Sequence, residues 1–390
     1  QLGTTMDVAV RKPNFSVEVD AIELTKELIR IPSVNPPGDE TACANYLAGV
    51  LERLDFETQL HSFGPGRFNL VARLAGKGTG RPIGFTGHLD TVPLGAAPWS
   101  FDPFAAEEHD GKLYGRGTSD MKAGIACFIA ACSRMLDELK SGGGVQLLLT
   151  GGEETGCDGA RALAETRPEL FTELALLIVG EPTSNYPYVG HKGALWMRGT
   201  AAGKTAHGSM PEHGDNAIYK ATRAIDRLRD FDLDSNEHPL MGRSTMNVGT
   251  FRAGLNINSV PDKAEFEFDI RTVPGMDHGC LCTQLKNAFA GEIDLHPIVD
   301  VPPLYSEVNH PVIQSILSVC SNFHGETITP RAVSYFTDGS VLLPPTGHPP
   351  TIILGPGEPQ MAHQTDEYCH TSRIKECVSL YQALLEEGFN

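Results

Sequence analysis

The 390-residue sequence lacks the features by which membrane proteins and nucleic-acid-binding proteins are recognised. No apolar run approaches the roughly 18 residues that are needed to span a bilayer. No segment is rich in lysine and arginine, and the formal net charge of −18 disfavours contact with nucleic acids or anionic membranes. We therefore predict a protein with neither a nucleic-acid partner nor a membrane partner.

The sequence also shows no disulfide framework and no secretory signal. Its nine cysteines are scattered, odd in number and without a CxxC pair, which favours reduced thiols and a cytoplasmic location. Residues 1–20 lack the apolar stretch of a signal peptide, and we interpret them as a tag remnant or a surface arm. The length favours two domains or one large domain.

Three apolar segments are predicted to be buried strands, and each is followed at once by side chains that can bind a ligand. Gly151 and Gly152 permit a sharp bend at the end of one of them. Because open α/β sheets place their ligands at the carboxyl ends of the strands, we expect one shared site at that rim. The segments are Val145–Glu154 with Glu153 and Glu154, Pro82–Thr86 with His88 and Asp90, and Leu174–Val179 with Glu181.

One part of the chain has a different pattern from the rest. Thr245–Phe251 and Ala264–Ile270 alternate apolar and polar residues, as half-buried antiparallel strands do. Asn216–Leu228 and His278–Phe289 are predicted helices, and helices on one face of an antiparallel sheet form a small α+β domain. We therefore predict an α/β fold with a mainly parallel central sheet, whose first domain is interrupted by a smaller α+β domain. The predicted boundaries are 1–187 and 303–390 for the first domain and 188–302 for the second.

The side chains at the predicted strand ends are of the types that hold transition metals. With Asp120 and His363 they form a set of carboxylates and two imidazoles, which suits Zn²⁺, Co²⁺ or Mn²⁺. The set contains no cysteine, which argues against a structural zinc site. One histidine and one carboxylate for each metal, with a shared carboxylate between them, would form a two-metal hydrolytic centre. The set consists of His88, Asp90, Asp120, Glu153, Glu154, Glu181 and His363.

Spacing within these motifs suggests some of the roles. His88 and Asp90 are two positions apart, so the Asp90 carboxylate can accept the second N–H of the imidazole. Glu153 and Glu154 are adjacent and should point apart in extended backbone, so that one binds metal and the other is a general base. Met121–Lys140 is predicted to be one helix. Each motif alone is more often a surface pair or a solvated turn, and their combination favours function.

Five motifs in order resemble those of the M20 family of metallopeptidases and deacylases. The similarity is greatest to the branch that contains acetylornithine deacetylase and succinyl-diaminopimelate desuccinylase, and it covers about residues 20–388. It implies a catalytic domain with two metals and an inserted lid or dimerisation domain. The motifs are GHLDTVP (Gly87–Pro93), GRGTSDMKAG (Gly115–Gly124), GGEETG (Gly151–Gly156), GEPT (Gly180–Thr183) and AHQTDEY (Ala362–Tyr368).

The resemblance also implies a role for each site residue. The metal ligands would be His88 and Glu181 for one ion, Glu154 and His363 for the other, and Asp120 as the bridge. The catalytic residues would be Asp90, which orients His88, Glu153 as the general base, and His207, which stabilises the oxyanion, commonly in the partner subunit. Asn256 and Arg271 would grip the substrate carboxylate, for which an arginine fork is suited. Arg271 could instead form a plain interdomain ion pair.

These expectations together describe a cytoplasmic, dimeric amidohydrolase that cleaves an N-acyl-amino acid. Its cofactors would be two divalent ions, zinc in the first place, with cobalt or manganese as alternatives. A dipeptidase or carboxypeptidase of the same family is the alternative function. Glu153 beside a complete ligand set disfavours a non-catalytic binding module. The segment Ser334–Leu342 departs from the patterns of both named enzymes and leaves the acyl amino acid open.

Overall fold

The computed structural model describes residues 18–233 and 237–389 of the chain. Residues 1–17, which make up most of the predicted tag remnant or surface arm, lie outside the described residues. None of the helices in the described part combines the length and the apolar character that crossing a bilayer requires.

The described residues form ten α-helices and fifteen β-strands. The first are α1 (Ala21–Ile29), α2 (Thr41–Arg53), β1 (Glu57–Gly64), β2 (Arg67–Ala75), β3 (Ile83–His88), β4 (Glu108–His109), β5 (Lys112–Tyr114), α3 (Ala123–Arg134), α4 (Leu136–Ser141), β6 (Gly144–Thr150), α5 (Asp158–Thr166) and β7 (Leu176–Val179). The others are β8 (Gly190–His191), β9 (Gly193–Ala202), α6 (Ala217–Arg229), β10 (Thr245–Ala253), β11 (Lys263–Thr272), α7 (His278–Ala288), β12 (Asp294–Val301), β13 (Leu304–Tyr305), α8 (Pro311–His324), α9 (Gly339–Leu342), β14 (Thr351–Ile353), β15 (Tyr368–His370) and α10 (Thr371–Glu387).

A six-stranded sheet with the order β1-β2-β6-β3-β7-β14 organises the larger part of the fold. The strands from β6 to β14 run parallel, and β1 and β2 form an antiparallel edge. All seven residues of β6 are buried because helices cover both faces of the sheet. Leu147 and Leu149 face the core that holds α1, α3 and α10, and Leu148 faces α5. The prediction of an α/β fold with a mainly parallel central sheet is confirmed.

The predicted helix over Met121–Lys140 is broken in the structure. A distorted turn at Thr118–Lys122 precedes α3, and the chain leaves the helical conformation at Met135, where φ is −127°. The break lets both Met135 and Leu139 reach the core while the acidic residues between them stay on the surface. Periodicity alone indicated the helical residues but not the break between α3 and α4.

A four-stranded antiparallel sheet with the order β10-β11-β9-β12 lies in the sequence between β7 and β14 of the large sheet. Helices α6 and α7 pack against the buried alternate residues of β9 and β11. β12 was not predicted from the sequence; it is an edge strand that contains Pro297, a residue that edge strands tolerate. Its Val299 and Val301 pack with Leu148 and Cys157, so an apolar contact joins this sheet to the larger part of the fold.

Candidate metal centre

Three parallel strands deliver their polar side chains to the same rim of the large sheet. β3 ends at His88, and Glu181 follows the end of the neighbouring strand β7. The Nε2 atom of His88 lies 3.0 Å from Oδ1 of Asp120 and 3.6 Å from Oε1 of Glu181. These three residues are buried, and their donor atoms are close enough to hold one ion.

A second group of donor atoms shares Asp120 with the first. The Nε2 atom of His363 lies 3.0 Å from Oε2 of Glu154 and 3.4 Å from Oδ2 of Asp120. Asp120 therefore turns one carboxylate oxygen to each histidine, which is the arrangement of a bridging carboxylate. The side chain of His363 is 55 % exposed, so this second group opens to solvent while the first does not.

The chemistry of the donor atoms fits two divalent cations. Glu154 Oε1 is buried and has no hydrogen-bond partner among the described residues, so it is free to bind a cation. The candidate groups in the described part of the chain contain histidine, aspartate and glutamate and no cysteine. Imidazole together with carboxylate suits zinc, cobalt and manganese. Catalytic sites for such ions keep one coordination position for water or substrate, which hydrolysis requires.

The charges of the site point the same way. Burial, opposed by the charge of His88 and reinforced by that of Glu181, raises the pKa of Glu153 well above its usual range. Burial and the charge of Asp120 raise the pKa of Glu154 to about 7. Hydrogen bonds to Asp120 and Glu154 raise the pKa of His363 to about 10. The site thus carries an excess of buried negative charge that protons, or bound cations in their place, must balance.

The carboxylate of Asp90 has a different partner from the one predicted. His88 Nδ1 donates its hydrogen bond to the main-chain carbonyl of Asp90 at 2.9 Å, and Asp90 Oδ1 is 3.7 Å from that nitrogen. The carboxylate instead accepts the main-chain N–H groups of Glu153 and Glu154 at 3.2 and 3.3 Å, and the side-chain amide of Asn35 at 2.8 Å. Asp90 therefore ties the end of β3 to the segment after β6.

The expectation that Glu153 and Glu154 point apart does not hold. The backbone after β6 is a turn rather than extended, because the N–H groups of Gly156 and Cys157 both donate to the Glu153 carbonyl. In this turn both carboxylates approach His88, with donor atoms of the three residues within 4.8 Å of one another. Glu153 is 5 % exposed, so a base at this position is shielded from bulk water.

Glu367 is a candidate functional residue that was not predicted from the sequence. Its carboxylate accepts the main-chain N–H groups of Gly117, Ser119 and Asp120 at 2.8 to 3.0 Å. It also pairs with the buried guanidinium of Arg116 at 2.6 Å. Glu367 lies in the motif that contains His363, so it joins the loops of two candidate ligands, Asp120 and His363. The sequence offered only one indication of this role: Arg116 and Glu367 each lie within one of the five motifs.

The three residues that were predicted to bind the substrate carboxylate or to stabilise the oxyanion lie on or near the four-stranded sheet. His207 is exposed and contacts Ser209, while Asn256 lies in a neighbouring exposed loop. Arg271, on β11, is half-buried, pairs with Asp269 at 3.0 Å and lies over the ring of Trp196. No hydrogen bond or ion pair joins His207, Asn256 or Arg271 to the candidate metal ligands within residues 18–233 and 237–389. The ion pair of Arg271 thus lies within β11 and does not reach the larger part of the fold, contrary to the alternative of an interdomain pair.

The fold and the site together define an α/β protein with a candidate two-metal centre at the carboxyl ends of parallel strands. The sequence profile of peptidase family M20/M25/M40 matches residues 84–387. The chain belongs to this family and is a hydrolase of the M20 type.

Two relatives and one solved structure show how far the similarity extends. A probable succinyl-diaminopimelate desuccinylase of Staphylococcus epidermidis is 32 % identical over 94 % of this chain and 96 % of its own length. The acetylornithine deacetylase of Vibrio atlanticus is 33 % identical over 89 % of this chain and 93 % of its own. The M20 family metallo-carboxypeptidase of Sulfolobus solfataricus has the same fold, with a TM-score of 0.77 at 20 % identity, over 94 % of this chain and 98 % of that one.

Proposed function

We propose that this protein is a two-metal amidohydrolase that cleaves an N-acyl-amino acid into a carboxylate and a free amine. The observation that carries the proposal is the position of Asp120, with one carboxylate oxygen beside His88 and the other beside His363. The names of the two relatives, a desuccinylase and a deacetylase, support an acyl-amino acid as the substrate.

The proposed metal ligands follow the two groups of donor atoms. Two divalent cations bound there would polarise the amide carbonyl and lower the pKa of a water towards neutrality. Zinc is the first choice, and cobalt or manganese would suit the same donors. His88 and Glu181 would hold one ion, Glu154 and His363 the other, and Asp120 both.

Glu153 is the proposed general base. It lies beside His88, is shielded from solvent and is not needed to complete either group of metal ligands. Its carboxylate would take a proton from the attacking water and later deliver it to the amine that leaves. Asp90 would hold the main chain of Glu153 in place for this transfer.

We further propose that residues 188–302 form an inserted lid and dimerisation domain, and that 1–187 and 303–390 form the catalytic domain. The pairing of β8 with β13 supports this division, because the chain enters the proposed insert near β8 and leaves it near β13. Leu255 and Ile257, on either side of Asn256, are 95 % and 103 % exposed in the single chain. Apolar residues that a second subunit covers would show such exposure when one subunit is considered alone. His207 would then act in the partner's site, and Asn256 and Arg271 would bind the substrate carboxylate.

The second candidate function is that of a dipeptidase or carboxypeptidase with the same metal chemistry. This candidate is consistent with the fold that the chain shares with a metallo-carboxypeptidase. A cytoplasmic location is part of the proposal and is supported by nine free thiols among the described residues. Hydrolysis should be measured on a panel of N-acetyl and N-succinyl amino acids and of dipeptides, with added Zn²⁺, Co²⁺ or Mn²⁺.

Glu153→Gln protein, purified in the same way, is the control for contaminating hydrolases. Removing a positioned general base costs about 10²–10⁴-fold in turnover, so the variant should be nearly inactive. Turnover of N-acyl amino acids above that of dipeptides supports the proposal. Turnover of dipeptides alone would favour the second candidate, and equal activity of the Glu153→Gln protein would contradict both.

A further inference from the structure

Asp338 is a buried carboxylate that neither the metal site nor the proposed chemistry uses. It is 3 % exposed and stands directly before α9, yet its side chain does not cap that helix. Its Oδ1 atom is buried and has no hydrogen-bond partner among the described residues. A carboxylate in such a place is costly to bury, so its contacts should explain why it is there.

The other carboxylate oxygen of Asp338 accepts a hydrogen bond from the hydroxyl of Thr150. Thr150 is the last residue of β6 and is fully buried. The buried thiol of Cys157 lies near the same carboxylate, and burial together with the charge of Asp338 raises the pKa of that thiol. Asp338 thus lies between two residues that are seven positions apart in the chain.

The segment between these two residues is the turn that carries Glu153 and Glu154. Cys157 closes the turn in the left-handed conformation, with φ of 63°, which a non-glycine residue adopts only when its surroundings hold it there. The main-chain N–H of Cys157 donates to the Glu153 carbonyl at 3.1 Å. Any displacement of Cys157 is therefore passed directly to the backbone of Glu153.

We infer that Asp338 is a positioning residue, whose carboxylate holds Thr150 before the turn and Cys157 behind it and so fixes Glu153 and Glu154. Asp90 and Asn35 hold the other side of the same turn. The segment that contains Asp338 is itself anchored, because the hydroxyl of Tyr335 donates to the Pro182 carbonyl at 2.9 Å. This inference rests on the proposed role of Glu153 as the base.

Variants at Thr150 test the inference with little change of shape. Thr150→Val removes the hydroxyl and keeps the volume, whereas Thr150→Ser keeps the hydroxyl and removes a methyl group. Asp338→Asn keeps the volume of the carboxylate and removes its charge. Thr86→Val is the matched control, because Thr86 is buried on the adjacent strand β3 and its hydroxyl bonds to the Leu148 carbonyl, away from the turn.

Two readouts on the full chain loaded with metal separate positioning from plain stability. In Thr150→Val and Asp338→Asn, hydrogen exchange at the amides of Gly156 and Cys157 should accelerate. In the same two variants kcat should fall by about 10- to 100-fold with KM nearly unchanged, as for other contacts that orient metal-site residues. Thr150→Ser and Thr86→Val should leave both quantities close to those of the wild type.

Unchanged exchange in Thr150→Val would overturn the inference, and so would faster exchange with an unchanged kcat. An equal loss of kcat in Thr150→Ser and Thr150→Val would overturn it as well, because the hydroxyl would then not be the group that matters. If Asp338→Asn protein does not fold, the two Thr150 variants decide alone. Failure of the proposed function would show instead as no hydrolysis by the wild type, and the exchange comparison would still decide whether the turn is held as inferred.

Discussion

Asp90 Oδ1 accepts a hydrogen bond from the main-chain N–H of Glu153 at 3.2 Å. The Asp90 carboxylate, which was predicted to bond to His88, thus binds the main chain of Glu153, the proposed base. The main-chain carbonyl of Asp90 accepts the hydrogen bond of His88 Nδ1 instead. The two functions of Asp90 can therefore be separated by changing its side chain alone.

Asp90→Asn should lower kcat more than it lowers metal affinity. A side-chain amide accepts hydrogen bonds only through its oxygen, so the bond to the N–H of either Glu153 or Glu154 is lost. We expect this loss to lower kcat by about 10- to 100-fold. The bond from His88 to the main chain remains. Metal affinity measured by competition with a chelator should stay within a few-fold of wild type, and the exposed Asp137→Asn is the control. Lost metal affinity with normal turnover per bound metal would return the carboxylate's role to His88.

Glu367→Gln should weaken metal binding. The amide nitrogen of glutamine would face N–H donors or Arg116, so the loop that carries Asp120 would shift. Contacts of this kind commonly change metal affinity by about 10- to 100-fold. Glu358→Gln is the matched control, since Glu358 is also buried and paired with an arginine, Arg373. Equal metal affinity in both variants would reduce Glu367 to a structural ion pair.

The convergence of the ligands could be predicted from sequence because each strand end is a local pattern. β3, β6 and β7 are short apolar runs, and the residues that follow them must meet at one rim of a parallel sheet. The role of Glu367 could not be predicted in this way. Its bond to Asp120 spans 247 positions, and only the tertiary structure brings those two residues together.

Other differences arose from local geometry that the sequence leaves open. The turn after β6 depends on hydrogen bonds to the Glu153 carbonyl, and a pair of adjacent glutamates does not reveal whether the backbone is extended or turned. β12 was missed because Pro297 and exposed residues interrupt its pattern, although its valines bury fully against the larger part of the fold.

His191 should make the protein less stable as the pH falls. It is fully buried, and burial lowers its pKa to about 4, below the value of about 6.5 in an unfolded chain. Between these values the unfolded chain binds the extra proton, so stability present above pH 6.5 is lost towards pH 4, by up to about 3 kcal/mol. Urea unfolding at several pH values should show a shallower dependence for His191→Gln than for wild type.

The exposed His296→Gln is the control for this pH dependence, and it should follow the wild-type curve. If His191→Gln and wild type lose stability in parallel between pH 7 and pH 5, His191 is not held neutral in the folded protein.

His207→Ala should retain both metals and lose about 10²–10³-fold in kcat, the usual cost of one oxyanion donor. If the donor comes from the partner subunit, mixing this variant with Glu153→Gln protein should restore activity. Random exchange makes half of the dimers mixed, each with one complete site of two, so recovery should approach about a quarter of wild type. No recovery after verified subunit exchange would place His207 in its own chain's site or in a structural role.

We expect hydrolysis to require two divalent cations, bound by His88, Asp120, Glu154, Glu181 and His363. The most direct test is to strip the protein with a chelator and titrate one metal back while binding and turnover are measured together. We expect no turnover in stripped protein, binding that saturates at two ions per chain, and activity that returns as the sites fill. Undiminished turnover in protein shown to be free of metal would contradict the proposed two-metal mechanism.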